Sequence, residues 1–139
     1  MAALLTQVGH PLQVSEVELE PPRRDEVLVR LRASSICRSD LSLIKGVWLA
    51  PLPMVLGHEG AGVIEAVGPG VDPARVGEHV VLTFAPACGR CRLCLAGRVN
   101  LCAETAAGFE TGLLRDGTTR ISWAGQESGQ AGRVVLDLS

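Results

Sequence analysis

From Glu26 towards Cys37 the chain alternates. Val27, Val29, Leu31 and Ala33 fall on one side of an extended backbone, Arg30 and Arg32 on the other. A period of two predicts a half-buried strand, with Cys37 at its end. Shorter β-like runs recur: residues 3–8 and 12–19 flank the turn Gly9-His10-Pro11, after which comes a polar loop with Pro21 and Pro22. Val63–Val67 runs into the turn Gly68-Pro69-Gly70, and Gly77-Glu78-His79 introduces Val80–Phe84. Asp116-Gly117, between β-like runs across 113–121, predicts a hairpin. Residues 123–132 are polar and glycine-rich, and 133–138 read as one closing strand. Helical signals are few: Ser39 reads as the start of a short helix over 40–45, with Gly46 as its stop. There is no internal repeat. Many short strands and few helical segments predict a mostly-β, barrel-like domain, a single one across residues 1–139.

Composition changes this picture little. Hydrophobic residues make up 47% of the chain, enough for a core, yet tyrosine is absent and Trp48, Phe84, Phe109 and Trp123 are the aromatics. Val, Leu, Ile and Ala must therefore fill the core. Net charge is −2 with both signs interspersed, so no nucleic-acid or membrane surface is indicated. The N-terminus shows neither a signal peptide nor a membrane helix. Five cysteines in such a chain point to metal ligands in a reducing, cytoplasmic setting.

Four of them change the picture a great deal. Cys88, Cys91, Cys94 and Cys102 stand in the spacing C-x2-C-x2-C-x7-C. Gly89 and Gly97 allow the tight curl that turns three closely spaced thiols onto one ion, and the fourth returns after a short loop. Four thiolates with no open position mark a structural zinc site. A bacterial iron–sulfur run opens alike but closes after three residues and continues with proline; here seven residues intervene and Ala103 follows. Arg90, Arg92 and Arg98 read as offsetting the thiolate charge, with a nucleic-acid patch as the weaker alternative. The glycines around His58 suggest close backbone packing or bulges, not a nucleotide loop. His10 at a turn and His79 at a strand start read as structural.

Cys37-Arg38-Ser39-Asp40, then Gly57-His58-Glu59-Gly60-Ala61-Gly62-Val63 running to Val67-Gly68, then the cysteine lobe, together resemble the zinc-containing medium-chain alcohol dehydrogenases over residues 1–122. The tail 123–139 departs from that pattern. The resemblance implies a GroES-like β-barrel catalytic domain with short helices and a zinc lobe. It implies that Cys37 and His58 are ligands of a catalytic zinc, and that Ser39 takes the alcohol proton into a relay. Asp40 would bond the ligand histidine, Glu59 would lie close behind the metal, and Arg38 would meet the cofactor's pyrophosphate. Cys88, Cys91, Cys94 and Cys102 would hold the structural zinc. The implied reaction is oxidation of an alcohol to an aldehyde or ketone, with Lewis-acid zinc stabilising the alkoxide and hydride passing to NAD(P).

The chain departs from the family in two ways. The further cysteine that completes the family's catalytic site has no counterpart, which leaves Glu59, Asp116 or water to do so, and zinc there is expected to be held more weakly than in the lobe. The family's Rossmann nucleotide-binding domain is also lacking. A catalytic part inactive alone and a zinc-stabilised interaction module or remnant both remain open. Asp40, one helical turn from Cys37, is expected to reach a ring nitrogen of His58. Trp48, Leu49 and Leu52 hint at an apolar alcohol or aldehyde, with core packing as the alternative.

Overall fold

A computed structural model describes residues 1–49, 51–83, 85–114, 116–130 and 135–137. In chain order the first strands are β1 (Ala2–Leu5), β2 (Gln13–Ser15), β3 (Glu18–Leu19) and β4 (Glu26–Ser35). Helix α1 (Arg38–Ile44), β5 (Met54–Val55), β6 (Glu59–Val67) and β7 (His79–Val81) follow. Next come α2 (Arg92–Leu95), α3 (Ala103–Thr111), β8 (Ile121–Trp123), β9 (Gln126–Glu127), β10 (Gly129–Gln130) and β11 (Val135–Asp137). The fold is mostly β, as the run pattern predicts. No helix among the described residues is long and apolar enough to cross a membrane.

The alternating run forms the longest strand. β4 pairs antiparallel with β6 from Val27↔Val67 to Ser35↔Glu59, and the sheet runs β11-β4-β6-β7. The close packing expected of the glycines is realised at Gly62, where a Cβ would sit 2.4 Å from the Arg30 carbonyl oxygen. Val27, Val29 and Ile64 form the buried centre of this sheet, with Val67, Val71, Val80 and Leu82 packed against it. The predicted inward face does not continue to the strand's end: Leu31 and Ala33 are exposed. The register shifts between Leu31 and Ala33, so the simple alternation is broken there.

Two further sheets run β10-β5-β1-β2 and β3-β8-β9. The predicted run 12–19 is therefore split: β2 pairs with β1, whereas β3 pairs with β8 in another sheet. Among the described residues, the predicted hairpin at Asp116-Gly117 is a tight turn without a ladder. Leu114 N–H donates to Thr118 O at 2.9 Å, while the Asp116 side chain accepts from the Thr118 N–H at 3.1 Å and so takes one backbone group a ladder would need. Arg115, inside that run, lies outside the described residues. The hairpin forms one step later, between β8 and β9, around Ala124 and Gly125 at φ 51° and 77°.

The closing strand pairs with β4 as Val135↔Leu28; Arg133, Val134 and Leu138 of the predicted run, and Phe84 of the earlier one, lie outside the described residues. Helix α1 begins one residue before Ser39, with Cys37 as its N-cap, and Gly46 follows its end at φ 69°. Helix α3, ending at Gly112, was not indicated by the hydrophobic pattern.

One buried ion cluster ties the sheets together. Arg120 is 1% exposed and grips Glu26, at the start of β4, through Nε at 3.0 Å and through Nη2. Its Nη2 also reaches Asp116 at 2.6 Å.

Candidate functional site

The lobe carries almost no aliphatic interior. Its buried cluster is Cys88, Cys94 and Cys102, with Ala87 and Cys91 against them. Gly89 and Gly97, both at φ 75°, make the curls on either side of α2. The sulfurs of all four cysteines lie within 4.8 Å of one another. Cys88 and Cys94 sulfurs are 3.9 Å apart; a tetrahedron with Zn–S of about 2.3 Å has an edge of about 3.8 Å. Backbone N–H groups point at the sulfurs: Cys91 N to Cys88 Sγ at 3.3 Å, Cys88 N to Cys102 Sγ at 3.4 Å and Cys94 N to Cys91 Sγ at 3.5 Å. Backbone hydrogen bonds from Cys88 and Thr105 hold the Cys102 thiol down at about 5. A backbone bond from Cys94 lowers Cys91, whereas burial and the neighbouring thiols push Cys94 up to about 11. A divalent cation is what lets all four ionise together, so this donor set fits zinc. Of the three lobe arginines, Arg90 meets Glu104 at 3.4 Å; Arg92 and Arg98 are exposed.

The second constellation forms where β4 hands over to α1 and β6 begins. Ligand atoms of Cys37, His58 and Glu59 lie within 4.8 Å of one another. His58 and Asp40 are buried, Cys37 is half-buried and Glu59 exposed. His58 Nδ1 lies 3.3 Å from Asp40 Oδ1. An ionised carboxylate only accepts, so Nδ1 carries the proton and the Nε2 lone pair faces the cluster. Ser39 Oγ is 3.2 Å from that Nε2. Asp40 also accepts from the Cys37 N–H at 2.9 Å and the Gly57 N–H at 3.3 Å. One carboxylate thus caps the helix, holds the turn before β6 and sets the histidine tautomer.

Asp116, a candidate for completing this site, lies instead with Arg120. Partial burial pushes its carboxyl up, but hydrogen bonds from Arg120 and Thr118 outweigh that and hold it at about 2. Arg38 is exposed on the first turn of α1. Trp48, Leu49 and Leu52 are exposed at 51%, 94% and 40%, so the core-packing alternative does not describe them. None of the three lines the cavity of about 330 Å³ that adjoins His58 and Glu59; Leu19, Leu31, Val55, Leu82 and Ile121 do. Ser34 and Ser35, which no sequence motif singles out, reach Glu59 across the β4–β6 register. Counting back from Glu59 along that register is the only route to them.

Residues 23–126 match the family model described as alcohol dehydrogenase GroES-like domain. An NDMA-dependent alcohol dehydrogenase of Amycolatopsis methanolica is 46% identical over 128 residues, covering 92% of this chain and 34% of that protein. An S-(hydroxymethyl)glutathione dehydrogenase of Candida maltosa is 38% identical over 127 residues, covering 91% of this chain and 33% of that protein. The crystal structure of an alcohol dehydrogenase zinc-binding domain protein from Burkholderia ambifaria superposes with a TM-score of 0.86 at 41% identity, covering 94% of this chain and 35% of that one. The chain thus spans about a third of the length of the curated relatives it matches.

Proposed function

The chain belongs to the alcohol dehydrogenase GroES-like domain family, and we propose that it is the zinc-binding catalytic part of an NAD(P)-dependent dehydrogenase acting on a small alcohol or aldehyde. The observation that carries this is the grouping of Cys37, His58 and Glu59, with Asp40 on the far nitrogen of the histidine. Cys37 Sγ and His58 Nε2 hold the catalytic zinc, and the four lobe cysteines hold the structural one. Bound there, zinc supplies a Lewis acid that acidifies a coordinated hydroxyl.

The remaining work belongs to the chain. Asp40 fixes the proton on His58 Nδ1, so Nε2 stays a lone-pair donor. Ser39, 3.2 Å from Nε2, is placed to take the proton that the substrate hydroxyl gives up. Arg38, exposed beside the site, offers its guanidinium to the cofactor's pyrophosphate. Cys37 is half-buried, so a ligand bound beside it would be within reach of solvent. Metal analysis tests the assignment. Wild type should bind two zinc ions per chain, and Cys37→Ser or His58→Ala should lose one while the lobe ion stays. Retention of both ions in both variants would remove the catalytic assignment. Mixed with NAD(P) and short alcohols, the isolated chain should give no steady NAD(P)H production.

A further inference from the structure

Three of the lobe cysteines are shielded and one is not. Cys88, Cys94 and Cys102 are 4%, 8% and 2% exposed, whereas Cys91 is half-buried. Cys91 also stands three residues from two other cysteines, in Cys88-Gly89-Arg90-Cys91 and Cys91-Arg92-Leu93-Cys94. C-x-x-C is a spacing that thiol–disulfide chemistry uses, because two intervening residues let the sulfurs meet. The backbone between the two pairs differs. Cys94 lies within α2, for which Cys91 is the N-cap. Cys88 is joined to Cys91 through Gly89, at φ 75° and with nothing within 4 Å of where a Cβ would stand. The Cys91 N–H already points at Cys88 Sγ at 3.3 Å. Closing towards Cys88 bends an open loop; closing towards Cys94 pulls on a helical turn.

Resting on the reading of the lobe as a four-thiolate zinc site, we propose that Cys91 is a modification site: an alkyl hydroperoxide oxidises it, Cys88 closes a disulfide with it, and the lobe releases its metal. The Cys91 thiolate attacks the terminal peroxide oxygen. An S–O bond forms, the O–O bond breaks, and alkoxide leaves and takes a proton from water. The Cys88 thiolate then attacks the sulfur of the Cys91 sulfenic acid. An S–S bond forms, the S–O bond breaks and hydroxide leaves. The two sulfurs together lose two electrons, and the peroxide gains them. A bridged pair offers no thiolate, so two of the four donors remain, Cys94 and Cys102. Metal binding supplies the folding free energy of such a lobe. Its buried cluster is cysteine with Ala87 against it, so nothing apolar holds the segment once the ion is gone. The cluster of Val27, Val29 and Ile64 shares no residue with it, so the sheets stay folded. Sulfenic acid and disulfide are both reversible, so a thiol reductant with zinc resets the lobe.

The test uses the full zinc-loaded chain carrying Cys37→Ser, so that the zinc counted is the lobe's. tert-Butyl hydroperoxide is added, and released metal is read with a colorimetric chelator. The lobe zinc should leave, and dithiothreitol with fresh zinc should restore it. Trypsin cuts after Arg90, Arg92 and Arg98, which puts the lobe cysteines on separate peptides. Mass spectrometry should find the Cys88–Cys91 bridge, and dimedone added with the peroxide should label Cys91 ahead of the other three. Hydrogen exchange should lose protection in residues 88–102 and keep it around Val27 and Ile64. A chain that holds no zinc before oxidation would overturn the lobe assignment beneath the proposal. Zinc retained at a peroxide dose that fully oxidises free glutathione would overturn the proposal itself. First labelling at Cys88, Cys94 or Cys102 would overturn Cys91 as the entry point, and a Cys91–Cys94 bridge would overturn the choice of Cys88 alone.

Discussion

Replacing Asp40 by asparagine separates its structural work from its chemical work. The side chain is 3% exposed and uses both oxygens: Oδ2 on the Cys37 N–H at 2.9 Å, Oδ1 on the Gly57 N–H at 3.3 Å and beside His58 Nδ1 at 3.3 Å. Asparagine keeps one acceptor and must turn its amide one of two ways. With its oxygen on Gly57 and His58, the amide group faces the Cys37 N–H and the helix loses its cap. A hydrogen bond to a charged acceptor is worth about 1.5–3 kcal/mol, so folding should weaken by about 2 kcal/mol. With the amide turned over, NH2 faces His58 Nδ1. The ring must then move its proton to Nε2, and that nitrogen can no longer bind a metal or accept from Ser39. In that second orientation, metal affinity at Cys37 and His58 should fall about 10–100-fold. With a urea slope of about 1–3 kcal/mol/M, the midpoint of the zinc-lobe form should drop by about 1 M. Urea unfolding and chelator competition measure the two losses. An unchanged midpoint together with unchanged metal affinity would refute the shared role of this carboxylate.

Cys91→Ser should lose the tight metal. In wild type, chelator should strip hydrogen-exchange protection from residues 88–102 and leave the cluster around Val27 and Ile64 protected, because the lobe has little apolar interior of its own. Arg120→Met should cost about 3–5 kcal/mol by leaving Glu26 buried without its cation; adding Glu26→Leu should recover part of that in urea melts, and strict additivity would argue against the pairing. Asp116 titrates at about 2 in the fold against 3.8 ordinarily. A depressed carboxyl stabilises above its unfolded value and loses that stabilisation as pH falls through the folded one. The stability gap between wild type and Asp116→Asn should therefore stay constant above pH about 4 and close between about 4 and about 2; a gap that widens on acidification would contradict the sign.

What was legible in the sequence follows the range of the interaction involved. The cysteine lobe could be read directly, because its ligands lie within one short segment and spacing alone decides whether they meet. The strand at Glu26–Ser35 was legible for as far as one face is buried, and the reading failed at Leu31 and Ala33, where a register shift breaks the alternation. Asp116-Gly117 formed its turn, but the Asp116 carboxylate took the Thr118 N–H that a ladder needs, and the hairpin moved to Ala124-Gly125. Helix α3 carries alanines and threonines without a clear apolar stripe, so no period announced it. Nothing in the local pattern marked Arg120; its partner Glu26 lies 94 residues away, and only the assembled sheets bring the two together.

The pair at Cys37 and His58 shows why a motif of scattered residues can still define a site. Cys37 is the N-cap of α1, and the cap bond comes from Asp40, three residues on. That spacing is what any helix start requires, so forming the first turn places the Asp40 carboxylate before any metal is considered. The same carboxylate then binds the turn that carries Gly57 and the ring of His58. Serine at 39 and arginine at 38 gain their positions from the same turn, one beside the histidine nitrogen and one towards solvent. Helix start, turn and histidine tautomer therefore depend on one group, and the cluster is preformed by the cost of leaving helix and turn uncapped. Glu59 stands outside this logic. It sits at the start of β6, where Ser34 Oγ donates to its main-chain oxygen and Ser35 Oγ to its carboxylate across the β4–β6 register.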